Sequence, residues 1–311
     1  MFYDLLLASV GVFVVASLGF FGSWLLCQHH HRSATTLCAL GLLGAPMFAW
    51  YLSEQLWWAN LIPVSSAIVW SNLAPVLLAI AAGTIFGNRS TSLFRRGLVV
   101  LPISVMAMVS LVGPVARPAV RPLTGWEIAQ WRKGHCLQSH ESTCCPASAA
   151  TLLKLHGIET TEREMAHQCL TGQDGTSPLG LFRGVCAATR LTQKRPSVTK
   201  RSPEQWSMEN QLPAIALVTF EPCLRAGQSF RAGQSFRAGQ SSWTTETWSG
   251  FFRSTNFGDD REGHAVVVLG QTDDGDWQIS DPAVGLVTWS NEQFLSRFSG
   301  QAIYLAEPDC R

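Results

Sequence analysis

Residues 138 to 157 read Gln138-Ser-His-Glu-Ser-Thr-Cys144-Cys145-Pro-Ala-Ser-Ala-Ala-Thr-Leu-Leu-Lys-Leu-His-Gly157. The Ala- and Leu-rich run from Pro146 to His156 predicts a helix, and Gly157 suits its C-terminal cap. Cys144 therefore stands at a helix N-terminus, where unpaired backbone N–H groups favour a thiolate over a thiol. Two later stretches supply what a thiolate needs. They are Gly263-His264-Ala-Val-Val-Val-Leu-Gly270 and Ile279-Ser-Asp281-Pro-Ala-Val-Gly285, each a short strand pattern beside turn residues. His264 can take the thiol proton, and Asp281, at the end of the next strand, can fix the imidazole tautomer and support its charge. Gln138 offers an amide donor on the approach to the helix. With the Cys144 backbone N–H it would hold the oxyanion of a tetrahedral intermediate, a donor worth about 3 to 4 kcal/mol when removed. These residue types predict a Cys/His/Asp hydrolase.

Around that core the pattern is helices first and strands second. Thr161-Glu-Arg-Glu164 reads as a capping box, and Thr176-Ser177-Pro178 as an N-cap with proline in the first turn of a helix. After Pro213 the apolar runs shorten and become β-branched or aromatic. Strands are expected at Ala214 to Phe220, Ala265 to Leu269, Trp277 to Ser280, Leu286 to Trp289 and Ala302 to Leu305. The order predicts an α+β domain over residues 134 to 311, long enough for its own core.

The preceding residues have another character. The chain is 47% hydrophobic and 14% charged, and the excess of apolar residues lies in the first half. No Asp, Glu, Lys or Arg occurs from Leu5 to Leu26, Ser33 to Ser53, Gln55 to Asn88 or Gly97 to Ala116. Each run reaches the roughly 20 residues that cross a bilayer core, so residues 1 to 116 are expected to form a membrane domain of about four transmembrane helices. A signal peptide fits the first run poorly, because no basic residue precedes it and three further runs follow. Pro63 and Pro75 place the third span near Val64 to Phe86, with Trp57 and Trp58 at the interface. From Gly113 to Gly125 three prolines are expected to prevent regular helix, which makes 117 to 133 a Pro-rich linker.

Four spans put both termini on one side. The loops on the other side carry Arg32, Arg89, Arg95 and Arg96, so the positive-inside bias places the C-terminal half on the extracytoplasmic side. Arg117, Arg121, Arg132 and Lys133 pull against that assignment. Beyond residue 134 lie Cys136, Cys144, Cys145, Cys169, Cys186, Cys223 and Cys310. Setting one aside as nucleophile leaves an even number, compatible with disulfides in an oxidising compartment but specifying no pairing. A net charge of +1 without a basic stripe argues against a nucleic-acid partner.

The pattern resembles the bacteriocin-processing cysteine peptidases, papain-like enzymes that remove double-glycine leader peptides. The resemblance runs through Gln138, Thr143-Cys144-Cys145-Pro146-Ala147, Gly157, Gly175-Thr176-Ser177, Gly263-His264, Asp281-Pro282 and Trp289-Ser290. It implies a papain-like peptidase domain with Cys144 as nucleophile, His264 as base and acid, Asp281 as orienting residue and Gln138 as oxyanion donor. It implies no cofactor and no metal. Two features depart from it. The family usually has glycine directly after its nucleophile, where this chain has Cys145. Many members also carry a transporter with an ATPase domain, whereas no Gly-x-x-x-x-Gly-Lys-Ser/Thr phosphate loop is found here, so any transporter is a separate partner.

Other readings of the same residues are an acyl transferase or cell-wall amide hydrolase, and a silent module that binds peptides without cutting them. His135, Cys136, His140, Cys144 and Cys145 also crowd together, but their spacing fits no usual zinc pattern. The hexapeptide Arg225-Ala-Gly-Gln-Ser-Phe230 recurs at 231 to 236 and in part at 237 to 242. Such short polar copies are expected to form a surface loop rather than a β-helix, so deleting one copy should leave the domain soluble and folded. An insoluble product on expression would overturn that expectation.

Overall fold

The computed structural model describes residues 3–29, 31–88, 92–125, 128–199, 201–220 and 262–307. The four charge-free runs all become helix: α1 (Tyr3–His29), α2 (His31–Tyr51), the short α3 (Trp58–Leu61) and α4 (Ala67–Trp70), then α5 (Ala74–Gly87) and α6 (Leu93–Val120). Among the described residues, three segments are long and apolar enough to cross a membrane: Tyr3–Gln28, Ala67–Gly87 and Leu93–Val120. The apolar part of α2, Thr35–Tyr51, is shorter. Helix α5 packs against α1, α2 and α6. Small residues permit the close approach: a Cβ on Gly83 would collide with the Phe20 carbonyl, and one on Gly41 would lie 2.6 Å from the Leu77 carbonyl.

Helix α6 departs from expectation. Pro114 and Pro118 lie inside it, and it ends only at Val120, so these prolines do not start an irregular tether. A proline ring already holds φ near its helical value, and the lost hydrogen bonds are tolerated where other groups fix the helix end. Here Arg117 meets Glu54 at 3.0 Å and Arg121 meets Asp174 at 2.6 Å. Asp4, in the first turn of α1, accepts from Ser65 Oγ at 2.6 Å and lies 3.8 Å from Arg183 of the C-terminal half. The start of α1, the 52–66 segment and the end of α6 thus share one end of the bundle. Leu5, Val12, Leu56 and Ile68 join Leu179 and Phe182 in a single apolar core that runs into the C-terminal half.

That half begins with a hairpin, β1 (Gln130–Arg132) paired with β2 (His135–Leu137). Lys133 and Gly134, both with positive φ, make its turn. The helices α7 (Cys144–Leu155), α8 (Glu162–Gln168) and α9 (Pro178–Thr189) follow. The Thr161 capping box forms, and Ser177 caps α9 with Pro178 in its first turn. Gly157 adopts φ +75° just beyond α7, a conformation that a side chain would strain. A six-stranded antiparallel sheet then comprises β3 (Arg195–Val198), β4 (Ala214–Phe220), β5 (Glu262–Gln271), β6 (Trp277–Asp281), β7 (Gly285–Trp289) and β8 (Phe298–Ala306). Its order is β3-β8-β4-β5-β6-β7. The short helices α10 (Pro203–Trp206) and α11 (Asn291–Arg297) complete the fold.

The two faces of β5 follow the period of a strand. Ala265 and Val267 join the core formed with α7, while Val266 and Val268 pack with Trp206, Trp277 and Phe294. All five expected strands are present. The edge strand β3 and the β1–β2 hairpin add to them; both are short and weakly apolar, which leaves them without a clear strand signal in the sequence. The molecule is a bundle of apolar helices followed by an α+β domain.

Candidate active site

Cys144 is the first residue of α7, half-buried, with Thr143 before it. The turn leading in is held by its own side chains. Thr143 Oγ1 donates to the His140 carbonyl at 2.8 Å and accepts from the His140 N–H at 3.1 Å, and the Ser142 N–H donates to His140 Nδ1 at 3.1 Å. One turn into the helix, Ser148 Oγ donates to the Ala265 carbonyl of β5 at 2.9 Å. That bond fixes the start of α7 against the strand that carries His264.

His264 and Asp281 come together through strand register. Val267 pairs with Ser280, which brings the early part of β5 beside the turn after β6. The His264 Nε2 lies 2.9 Å from Asp281 Oδ1, and the same oxygen accepts the Ala283 N–H at 2.9 Å. The turn closes where Asp281 pairs with Gly285, whose φ of +99° favours glycine. With Nε2 committed to Asp281, Nδ1 is the nitrogen left to face the cysteine, and the thiol and imidazole are close enough for each to favour the other's charged form. Cys144, His264 and Asp281 therefore form one contiguous chain.

The electrostatics agree with the geometry. A hydrogen bond from the Cys145 thiol favours the Cys144 thiolate, burial opposes it, and the His264 hydrogen bond and charge add to the lowering. The outcome is a Cys144 thiol well below its ordinary range. Burial alone would push the His264 imidazolium down, but hydrogen bonds to Asp281 and Cys144 hold it up at about 10. At neutral pH the favoured state is a thiolate beside an imidazolium.

Gln138 directly follows β2. Its N–H donates to the Pro282 carbonyl at 2.8 Å, which ties it to the residue after Asp281. Its Oε1 is buried and has no hydrogen-bond partner within the protein, so that side of the amide is not committed elsewhere. Cys136 fixes the strand from the other direction, its N–H donating to Thr151 Oγ1 of α7 at 2.9 Å.

Cys145 points into the apolar core and is 7% exposed. Its thiol is pushed far up by its hydrogen bond to Cys144 and by burial. Burial also raises Cys169 and Cys186 to about 12 each. Cys27, Cys38, Cys136, Cys144, Cys145, Cys169 and Cys186 are all free thiols, so the described cysteines form no disulfide with one another. Cys223, Cys310 and the hexapeptide repeat lie outside the described residues. Among the described residues no group of three or more His, Cys, Asp or Glu side chains is placed to hold a metal, and His140 Nδ1 instead accepts the Ser142 N–H.

A thiol is a weak donor, so Cys145 is expected to tune the site rather than act in it. Cys145→Gly should keep most of the Cys144 reactivity, within about threefold at neutral pH, and move its ionisation upward. Cys145→Ser should retain the donor and move it less. Alkylation of the Cys144 thiol as a function of pH checks both; an unreactive Cys145→Gly protein would make Cys145 indispensable.

Two contributors carry no signal in the sequence. Glu162 is almost wholly buried and its Oε1 accepts the Ser139 N–H at 2.9 Å, between Gln138 and the nucleophile turn. In sequence it reads only as an acid in the first turn of α8. Ser142 Oγ donates to the Gln173 carbonyl at 2.6 Å, a link for which no motif exists.

The site thus sets a helix with an N-terminal cysteine beside a strand histidine and its carboxylate, against an antiparallel sheet. Residues 132–222 match the model of the Peptidase C39 family. That stretch includes Gln138 and Cys144 and stops before His264 and Asp281. No curated protein matches the chain. Among the solved structures that resemble it are these two. One is the peptidase domain of Streptococcus ComA, a bi-functional ABC transporter involved in a quorum-sensing pathway, at 20% identity, with 55% of this chain and 96% of that one covered and a TM-score of 0.38. The other is a double glycine motif protease from an AMS/PCAT transporter, solved in complex with the leader peptide. It is 18% identical, with 58% and 100% covered and a TM-score of 0.38.

Proposed function

We propose that this protein is a membrane-anchored cysteine peptidase that cuts a peptide bond in a peptide or protein substrate, after a Gly-Gly leader sequence. The single observation carrying this reading is the His264–Asp281 pair, Nε2 to Oδ1 at 2.9 Å, beside a Cys144 whose thiolate it favours. The Cys144 thiolate attacks the substrate carbonyl carbon, and the Cys144 backbone N–H and the Gln138 amide hold the resulting oxyanion. His264 gives its Nδ1 proton to the departing amine, leaving a thioester on Cys144. It then takes a proton from water, the water oxygen attacks the thioester, and the carboxylate product leaves with the thiolate restored. Asp281 keeps the imidazole oriented throughout.

The peptidase reading is supported by the family-model match over 132–222, and the preference for a Gly-Gly leader follows the sequence resemblance through Gln138, Cys144, His264 and Asp281. Membrane anchoring is supported by the outward faces of the long helices. Leu7, Val10, Phe13 and Leu18 of α1, and Leu98, Leu101 and Val105 of α6, are exposed in the isolated chain, as suits contact with lipid. We divide the chain into a membrane domain (1–116), a connection (117–133) and a peptidase domain (134–311), and the β1–β2 hairpin belongs structurally with the last. The bundle end nearest the peptidase carries Arg117 and Arg121, while Arg95 and Arg96 lie in the first turn of α6, and Arg32 in the first turn of α2, at the other end. On that count the peptidase domain faces the extracytoplasmic side, and a transporter is a proposed partner.

The test uses the full chain in nanodiscs under reducing conditions, with a synthetic peptide containing an internal Gly-Gly, in water enriched in oxygen-18. A cut after Gly-Gly with the heavy oxygen in the new carboxylate is the expected result. An amine adduct would indicate acyl transfer, and saturable binding without any cut would make the domain a silent peptide-binding module.

A further inference from the structure

The turn Gly172–Gly175 lies between the end of α6 and the turn that presents Cys144, and it is bonded to both. The Gln173 N–H donates to the Arg121 carbonyl at 2.9 Å, and Arg121 Nη1 lies 2.6 Å from each carboxylate oxygen of Asp174. On its other side the Gln173 carbonyl accepts Ser142 Oγ at 2.6 Å, two residues before the nucleophile. The turn is stiff in itself. Gly172 and Gly175 exchange backbone hydrogen bonds at 3.1 and 3.0 Å, and the Thr171 and Thr176 hydroxyls meet at 2.7 Å behind them. It also sits against α6 without slack: a Cβ on Gly172 would lie 3.0 Å from the Arg121 carbonyl and 3.4 Å from Arg117 Cγ.

We propose that the Gly172–Gly175 turn is a positioning strut through which the last membrane helix, α6, sets the placement of Cys144. The inference rests on the peptidase reading above. The chain of contacts is Arg121 to Gln173 and Asp174, then Ser142, then Thr143 and Cys144. Arg117, fixed by Glu54, anchors the helix end one turn earlier. The Arg121–Asp174 pair is solvent-accessible and contributes little to folding stability, so its effect is expected in geometry. A shift of the Ser142–Thr143 turn moves the Cys144 thiol relative to His264 and the Cys144 N–H relative to Gln138. Placement errors of that kind are costly to catalysis even when nothing in the chemistry has been removed. Ser142, Gln173, Asp174 and Arg121 are therefore positioning residues.

The experiment measures the alkylation rate of Cys144 by iodoacetamide between pH 5 and 10, resolved by mass spectrometry, on the full chain in nanodiscs. Ser142→Ala and Arg121→Ala are each expected to slow Cys144 at neutral pH by about three- to tenfold, the scale of one lost hydrogen bond, and to move the ionisation midpoint upward. Ser142→Thr should recover the rate by keeping the hydroxyl. The paired exchange Arg121→Asp with Asp174→Arg should recover what Arg121→Ala loses. Thermal unfolding should stay unchanged, which separates positioning from a general loss of structure. A wild-type profile reproduced by Ser142→Ala and Arg121→Ala overturns the strut. Equal slowing in Ser142→Ala and Ser142→Thr also overturns it. A wild-type Cys144 no faster than Cys169 and Cys186 overturns the peptidase reading and the strut together, so the two failures are distinguishable.

Discussion

Cys144→Ala is expected to abolish cleavage of a Gly-Gly peptide, with a fall in kcat on the order of 10⁴-fold or more, while the protein stays folded. The size follows from the mechanism. No other described thiol is placed to substitute: Cys145 is buried and held far up in ionisation, and burial raises Cys169 and Cys186 to about 12. What survives the change is peptide binding and the oxyanion donors, which accelerate nothing without an attacking atom. The Cys144 side chain is half-buried at a helix start, and alanine is a good helix former, so the cost in stability should be small. The measurement is a mass-spectrometric time course of product at saturating peptide, with the unfolding midpoint of both proteins taken in parallel. Residual cleavage within tenfold of wild type would remove Cys144 from the nucleophile's place.

Much of this arrangement is legible in the amino-acid sequence, for identifiable reasons. The helix at 144 to 155 announces itself through composition and through Gly157, and the strands β4 to β8 through short apolar runs between turn residues. These signals are local, and local chemistry dictates them. The approach of His264 to Asp281 is readable because one hairpin brings the end of β6 back beside β5. Long-range contacts are not readable. Glu162 beside Ser139 and Ser142 on Gln173 depend on how α8 and the 171–176 turn pack, and no spacing rule encodes that. Local propensity alone ends α6 too early, because it weighs the prolines at 114 and 118 without their surroundings. Tertiary ion pairs at Arg117 and Arg121 hold the helix end beyond them. Cys145 reads in sequence as a departure from the glycine usual after the nucleophile, and in the fold its side chain occupies the core beneath the helix start.

Replacing His264 by Gln should separate the activated thiolate from an ordinary buried thiol. In the wild-type protein the reactive state is the thiolate–imidazolium pair, which exists above the lowered Cys144 value and below the His264 value of about 10. Alkylation of Cys144 should therefore remain near its neutral-pH rate well below the usual thiol range. Cleavage, which also needs the imidazolium proton for the leaving amine, should fall as pH rises through about 10. The linkage has the same sign: the His264 value is raised in the folded state, so its contribution to stability is full below about 6.5 and is lost as pH rises through about 10. His264→Gln removes the cation and leaves the Cys145 hydrogen bond and the helix N-terminus in place. The Cys144 thiol then rises toward the ordinary cysteine range and a smaller share of it is ionised at pH 7, so the alkylation rate there should drop on the order of tenfold. The drop is smaller than the loss of thiolate alone because a more basic thiolate is also the better nucleophile. Raising the pH to 9 should restore most of the alkylation rate but none of the cleavage, since no proton donor remains for the amine. A variant that alkylates at the wild-type rate at pH 7 would mean that the helix and Cys145 alone set the thiolate, and His264 would lose its electrostatic part while keeping its proton-transfer part.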